Sequence, residues 1–113
     1  MRRVKTLHDC IEYADLVRKK FRSCLLVIGR SPDTHIYDLT EDKLKGRGYV
    51  RERTFLTKVL QFYLNLSDKD KDIFVAEVLE RYRHYPYWFL EDYRDKDFVA
   101  RKDSILRKVS YGL

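Results

Sequence analysis

The sequence predicts one all-α domain over residues 1–113, with four to five helices and a C-terminal helix-turn-helix-like unit. Apolar residues recur every three or four positions over long stretches, which is the period of one helix face. Four glycines and two prolines are too few for the turns of a β-sandwich or β-barrel. Nine tyrosines, six phenylalanines and one tryptophan supply the apolar area for one core, which excludes a disordered chain.

The first predicted element is a long amphipathic helix over residues 7–28. Thr6 followed by Asp9 resembles a capping arrangement, and an acidic residue at this end suits the helix dipole. Gly29 and then Pro32 supply the stop. The apolar residues that define its buried face step by three and four: Leu7, Ile11, Ala14, Val17, Phe21, Cys24, Leu25 and Ile28.

A long connection is predicted over residues 29–49, followed by a helical unit over residues 50–111. Thr40 can open a short helix within the connection, and Gly46 can close it. The Gly-Arg-Gly segment that Gly46 begins is the most flexible piece of the chain. A helical period returns over residues 50–66, where apolar residues again step by three and four.

Three further helices are predicted in the C-terminal half. The first covers about residues 68–84, and Ser67 with Asp70 three positions later is the better of the two capping-box candidates. A proline then breaks this helix. Because proline is tolerated as a first helical residue, it can begin a short helix over about residues 86–93. The last helix covers about residues 96–109.

The net charge of +6 is unevenly distributed along the chain. Residues 1–30 and 43–58 each carry a net charge of +5, and residues 96–113 carry +3. Residues 31–42 and 67–95 are acidic, with net charges of −4 and −3. A clustered basic surplus is the electrostatic footprint of a nucleic-acid-binding protein. The alternative is the solvated surface of ordinary helices, in which the surplus aids only solubility.

The C-terminal pattern, a short helix joined to a longer basic helix, is the outline of a helix-turn-helix. In such a unit the second helix lies in the DNA major groove and its first residues contact base edges. Arg101 is then expected to read guanine, and Arg107 and Lys108 to hold phosphates. The predicted nucleic-acid-binding residues are Lys96, Arg101, Ser104, Arg107 and Lys108, with Arg47, Arg51 and Arg53 as further phosphate contacts.

Residues 67–111 also carry a recognisable order of features: an acidic helix start, a Tyr-rich helix end, a short helix, and a basic F-x-x-R-K-x-x-I-L-x-K helix. In this sequence the last pattern is Phe98, Arg101, Lys102, Ile105, Leu106 and Lys108. The order resembles the C-terminal part of small phage-encoded late-gene and autolysin transcription regulators, whose unit resembles the sigma-factor region that binds the −35 element. The resemblance implies a transcription regulator. The short helix departs from the pattern, because PYWFLEDY is bulky and aromatic.

The expected partners are double-stranded DNA, or RNA, and also RNA polymerase or another protein. A helical protein-interaction module is the alternative function, with the Tyr85–Tyr93 aromatic cluster as its anchor patch and Tyr87, Trp88 and Phe89 as partner-binding residues. The exposure of the aromatic side chains, compared with that of Arg101 and Ser104, distinguishes the two functions. Exposed aromatic side chains with Arg101 and Ser104 covered favour the interaction module, and competition between duplex DNA and single-stranded RNA separates the two nucleic acids.

The remaining residues predict no catalysis, no cofactor and no metal site. His8, His35 and His84 have no metal-ligand spacing with each other or with the cysteines. The sequence contains no glycine-rich phosphate loop and no nucleophile motif, so it does not predict an enzyme.

A cytoplasmic location without membrane contact is expected. The longest apolar run, residues 24–28, is far shorter than the roughly 20 residues of a membrane span, and the basic N-terminus is not followed by an apolar signal core. Cys10 and Cys24 lie about 21 Å apart if both belong to one helix. That distance is too long for a disulfide bond, so two free thiols are expected. The oligomeric state does not follow from the sequence.

Overall fold

The computed structural model describes residues 6–81, 87–91 and 93–113. These residues form five α-helices and contain no β-strand, which confirms the all-α prediction. None of the described helices is long and apolar enough to cross a membrane. The helices are α1 (Leu7–Val27), α2 (Glu41–Leu44), α3 (Val50–Leu64), α4 (Asp68–Phe74) and α5 (Asp95–Gly112), with 3-10 turns at Ile36–Asp38 and Trp88–Glu91 and a π-helical turn at Val75–Leu79.

The central element is α1, which contacts α3, α5 and the π-helical turn. Thr6 and Asp9 form a reciprocal capping box at its start, in which each side chain accepts a hydrogen bond of 3.1 Å from the other residue's backbone N–H. At its end Gly29 has a φ of 85°, and the N–H of Arg30 donates to the Leu25 carbonyl at 2.9 Å. This left-handed cap stops the helix where the sequence predicts it to stop.

One core is formed by apolar side chains from all five helices and from the connection between α1 and α3. Ile36, Leu39 and Leu44 are buried, so the connection packs on the domain. The largest fully buried side chains are Phe74, Leu25, Ile36, Leu44, Leu56, Ile73, Ile105, Val59, Val78, Val109 and Cys10. The short helix predicted from Thr40 is present as α2, and the Thr40 hydroxyl caps it.

The segment from residue 68 to residue 79 is continuously helical, but its two ends differ from the prediction. At its start the Ser67 hydroxyl accepts from the Asp70 N–H at 3.3 Å, while the Asp70 carboxylate binds Arg101 at 3.0 Å. The better capping box is therefore the one at Thr6, and the expectation that favoured Ser67 was wrong. At its end the Glu80 N–H donates to the Val75 carbonyl, five residues earlier, at 2.7 Å.

The segment before α5 is also shorter and tighter than predicted. Where an α-helix was expected over residues 86–93, Trp88–Glu91 forms one 3-10 turn, and residues 86 and 92 lie outside the described part. The rings of Phe89 and Phe98 stack with centroids 3.8 Å apart, and the Trp88 ring lies edge-on to Phe98 at 5.8 Å. Trp88 and Phe89 therefore both pack against the Phe98 ring of α5. The helix-turn-helix geometry of this unit stays a prediction.

Both cysteines are free, as the sequence predicts, and both are buried in α1. Burial raises the pKa of the Cys24 thiol, and the nearby Glu52 carboxylate adds to that rise against the opposing charge of Lys20. Only the thiolate is an effective nucleophile. The Cys24 thiol therefore loses its proton less readily than an exposed cysteine does.

Candidate nucleic-acid interface

The last helix presents one face to the core and the opposite face to solvent. Its apolar residues Phe98, Ile105, Leu106 and Val109 are buried, and the helix packs against α1 and α4. Because an α-helix turns about 100° per residue, the positions opposite these residues form one stripe. The exposed residues of that stripe are Lys96, Asp97, Ala100, Ser104, Arg107, Lys108 and Tyr111. Lys96, Ala100, Ser104, Arg107 and Lys108 are called the α5 basic face below.

Arg101 lies at the edge of the α5 basic face and is tied to α4. Its Nη1 atom lies 3.0 Å from Oδ1 of Asp70. The Arg101 side chain is 40% exposed and the Asp70 side chain 17% exposed, so the pair is partly shielded from water. The residue predicted to read guanine is thus half-buried and holds a charge-assisted hydrogen bond within the protein.

Lys102 falls within the apolar stripe of α5 and extends along it to reach a carboxylate. Its Nζ atom lies 3.5 Å from Oε2 of Glu77 and 5.9 Å from the centre of the Phe98 ring. The other oxygen of Glu77 accepts a hydrogen bond from the Trp88 indole N–H at 3.3 Å. These contacts connect α5 with the π-helical turn and with the 3-10 turn.

The three arginines that were predicted to contact phosphates have different surroundings. Arg53 is half-buried, and it donates from Nε to the Gly48 carbonyl at 3.1 Å and from Nη1 to the Leu44 carbonyl at 3.0 Å. It therefore holds the loop that leads into α3. Arg47 and Arg51 are exposed.

Two of the three basic segments, 43–58 and the one in α5, pack against different parts of α1, which belongs to the third. On α5, Leu106 lines a cavity of about 30 Å³ together with Ile11. On α3, the Phe55 ring lies 4.3 Å from Nζ of Lys20. Nine residues separate Ile11 from Lys20, which corresponds to a rise of about 13 Å along α1. The contacts of the two basic segments are therefore displaced along the central helix.

The aromatic residues that form the partner-binding patch of the alternative function are mostly part of the core. Trp88 and Phe89 are half-buried and pack against the core, and of the three only Tyr87 is exposed, at 59%. Tyr93 is buried and donates from its hydroxyl to the Lys69 carbonyl at 2.7 Å. Tyr85, which begins the predicted cluster, lies outside the described residues.

Two surface features escaped the sequence analysis. Arg94 stands at the N-cap position of α5 without a capping hydrogen bond from its side chain, and because it is exposed it adds a cation at the end of the helix that carries Lys96. The second feature is an open groove of about 630 Å³ beside α2 and α3, with Val50 and Lys58 among its lining residues. The only available signal for the groove was an apolar residue, Val50, among charged neighbours.

A further charged group joins α1 to the residues that follow the π-helical turn. Asp15 accepts hydrogen bonds from Arg18 at 2.7 Å and from Arg81 at 3.2 Å. Burial by itself would raise the pKa of Asp15, but the hydrogen bond and charge of Arg18, and then those of Arg81, outweigh it and lower the pKa. Within the described ranges, no group of three His, Cys, Asp or Glu side chains is placed to hold a metal ion.

Comparison with known proteins gives no match: no protein-family model, no curated protein and no solved structure is significantly similar to the chain. The resemblance of residues 67–111 to small phage transcription regulators therefore stays a prediction.

Proposed function

We propose that this chain binds double-stranded DNA through the α5 basic face and acts in transcription control. The observation that carries the proposal is the exposed stripe of α5, where the cations Lys96, Arg107 and Lys108 flank the small residues Ala100 and Ser104. Cations alone would indicate a soluble surface. Cations around small residues on one face of a supported helix are what a groove-binding helix needs.

The dimensions of α5 suit the DNA major groove. The groove is about 12 Å wide and admits an α-helix, and the 18 residues of α5 span about 27 Å. Lys96 and Lys108 lie 12 positions apart, about 18 Å along the axis, so they can reach phosphates on both sides of the groove. Ala100 and Ser104 let the backbone approach base edges, and the Ser104 hydroxyl can bond to either base of a pair.

Under this proposal, Arg101 contacts DNA only when it releases Asp70. Its guanidinium can exchange the Asp70 carboxylate for a phosphate or a guanine, because both are charge-assisted or bidentate partners of arginine. The exchange breaks one ion pair to make another contact. Arg101 is therefore expected to add selectivity and little net affinity.

The alternative, a protein-interaction module that uses Tyr87, Trp88 and Phe89, has weaker support. An interface anchor is an aromatic side chain that is available to fill a pocket on the partner. Trp88 and Phe89 already pack on Phe98, and of the three only Tyr87 is exposed.

The test is binding to a labelled duplex of about 25 base pairs, measured by fluorescence anisotropy between about 50 and 200 mM salt. Three phosphate contacts predict a slope of log K against log salt of about −3. The double variant K96Q/K108Q should lower the affinity and reduce the slope by about 2. The matched control is K19Q/K58Q, which removes the same charge from exposed positions on α1 and α3.

The control variant should bind DNA nearly as well as the unmodified chain. Equal losses in both double variants would mean that binding follows net charge, and a salt-independent or absent interaction would remove the proposal. Selection from a pool of random duplexes then tests sequence preference, and competition with single-stranded RNA tests the choice of nucleic acid.

A further inference from the structure

The groove beside α2 and α3 combines a concave shape with an exposed apolar side chain. Its volume is about 630 Å³, and Val50, the first residue of α3, is 71% exposed at its edge. Leu44, Thr54 and Thr57 contribute to the lining. A large exposed apolar residue beside a concave surface is typical of binding sites, whereas isolated apolar residues on convex surfaces are not.

The wall of the groove is held in place by Arg53. Its guanidinium bonds to the carbonyls of Leu44 and Gly48, and it packs so closely on Gly46 that a Cβ there would lie 2.5 Å from Arg53 Cζ. The loop is therefore shaped by contacts within the chain. A partner that binds here does not have to order the loop, which lowers the entropic cost of binding.

Two polar side chains that line the groove, Arg53 and Thr57, already bond to backbone carbonyls. The Thr57 hydroxyl donates to the Arg53 carbonyl at 2.9 Å, and the Nε and Nη1 atoms of Arg53 donate to backbone carbonyls. The floor therefore offers mainly methyl and methylene groups, which suit an aliphatic or aromatic side chain. The hydrogen-bonding edge of a nucleotide base would find few open partners.

The lining of the groove is basic, because Lys45, Arg53 and Lys58 contribute to it, although α2 beside it also carries Glu41 and Asp42. Segment 43–58 carries a net charge of +5, and Arg47, Arg51 and Lys58 are exposed. Lys45 is 3.7 Å from Asp42, but both side chains are highly exposed, so this pair is weak. The acidic residue within the segment, Glu52, is half-buried. An apolar floor with a cationic rim complements a ligand that is apolar at its centre and acidic around it.

We propose that this groove binds a segment of a protein partner in which an apolar anchor residue is flanked by Asp and Glu. The chain's own N-terminal residues do not suit the groove, because Arg2, Arg3 and Lys5 carry the same charge as its rim. The site is distinct from the α5 basic face, and it does not depend on DNA binding. Val50 receives the anchor residue, and Lys45 and Lys58, which line the groove, contact the acidic residues.

The test uses the full chain and a synthetic helical peptide of about 15 residues, with Leu on one face and Glu and Asp elsewhere. Two control peptides separate the contributions: one replaces the acids by Gln, and the other replaces Leu by Ser. Backbone amide chemical-shift changes map the site, and a titration gives the affinity. We expect the changes to centre on residues 44–58, with both control peptides binding about tenfold more weakly or not at all.

Substitutions in the chain, in place of changes to the peptide, test the same site. V50E should weaken peptide binding about tenfold, and K58Q about two- to fivefold with a smaller salt dependence. The matched control is L16E, because Leu16 is 60% exposed on α1 and receives the same substitution. L16E should bind the peptide unchanged, and V50E should retain its helical circular dichroism and its DNA binding.

Several results would overturn the proposal. The first is a set of chemical-shift changes that map away from residues 44–58. The second is a Gln or Ser control peptide that binds as tightly as the acidic Leu peptide. The third is an equal loss of peptide affinity in L16E and V50E. A single-stranded oligonucleotide that shifts the same amides while the peptides do not would assign the groove to nucleic acid. A dimer seen by sedimentation and abolished in V50E would assign it to a second copy of the chain.

Discussion

The Nδ1 atom of His35 lies 2.6 Å from Oε2 of Glu80 and joins two segments that are 45 residues apart. The Glu80 side chain is only 4% exposed, and the His35 ring is held by stacking on Tyr37 at 4.8 Å. We expect His35→Ala to lower the free energy of unfolding by about 1–3 kcal/mol, because the carboxylate loses a partner while it stays buried. Urea denaturation at neutral pH measures the loss.

His8→Ala is the matched control for that variant. His8 also lies close to a carboxylate, with Nε2 at 3.0 Å from Oε1 of Glu12, but both side chains are mostly exposed. Its removal should change the free energy of unfolding by no more than about 0.5 kcal/mol. Similar losses in the two variants would contradict the importance given to burial.

The Asp15 group predicts an acid-dependent contribution to stability. Its pKa is lower in the folded chain than the ordinary value of 3.8, so the folded state binds a proton less readily than the unfolded state. Asp15 therefore stabilises the fold above about pH 4, and this contribution is lost as the pH falls through its lowered pKa. Because Asp15 is partly exposed, we expect about 0.5–1 kcal/mol at pH 7.

The measurement compares urea denaturation of Asp15→Asn with the unmodified chain at neutral pH and near pH 3. The difference in unfolding free energy should be present at neutral pH and shrink in acid. Asp42→Asn is the control, because its carboxylate is 94% exposed and its removal should matter little at either pH. A difference for Asp15 that stays constant with pH would show that its charge is not the cause.

Tyr49 occupies a backbone conformation that disfavours its own residue type. Its φ of 50° and ψ of 43° lie in the left-handed region, which costs a residue with a Cβ about 1 kcal/mol or more. Asn tolerates this region better, and the Tyr49 side chain is 58% exposed. We expect Tyr49→Asn to raise the free energy of unfolding by about 0.5–1 kcal/mol.

Thermal and urea denaturation of this variant provide the check. Tyr111→Asn is the matched control, because Tyr111 is similarly exposed at 48% but lies within helix α5. The control should not gain stability, since Asn has a lower helix propensity than most residues. Stabilisation in both variants would point to a general surface effect.

Phe98 is expected to dominate the stability of the segment before α5. Its side chain is 4% exposed and contacts the rings of Phe89, Trp88 and Tyr93. Phe98→Ala should lower the free energy of unfolding by about 3–5 kcal/mol. The emission of the single tryptophan should also shift to longer wavelength. Val99→Ala is the control, because Val99 is 54% exposed and should cost about 0.5 kcal/mol or less.

Asp70 is predicted to restrain Arg101, and this prediction rests on the proposed DNA binding. Asp70→Asn removes the carboxylate that holds the guanidinium, so DNA affinity at low salt should rise about two- to fivefold. Asp68→Asn makes the same charge change at an exposed position of α4 and is the control in the anisotropy assay. An equal rise in both variants would mean that Arg101 takes no part.

The elements that were predicted well are those determined by local pattern. α1 and α3 follow from apolar residues at helical spacing and from caps such as Thr6 and Gly29, because neighbours along the chain decide both. The exposure of Ala100 and Ser104 also follows from the turn of one helix. Each of these features depends on residues within a few positions of each other.

Features that depend on distant residues were not predictable from local pattern. The pairing of Arg101 with Asp70 crosses 31 positions and depends on how α4 packs on α5. The 3-10 turn at Trp88 depends on the Phe98 ring, and the groove at Val50 depends on the clamp that Arg53 makes. Periodicity contains no information about such contacts.

The π-helical turn at Val75–Leu79 has a consequence for how related chains would align. Such a turn holds one residue more than an α-helical turn, so it behaves as a single-residue insertion hidden inside a helix. Deletion of that residue would preserve the helix but rotate everything beyond it by about 100°. After such a deletion, the Glu77–Lys102 pair and the Glu80–His35 pair could not both form in one structure. A relative with a one-residue gap here should have lost one of those two pairs.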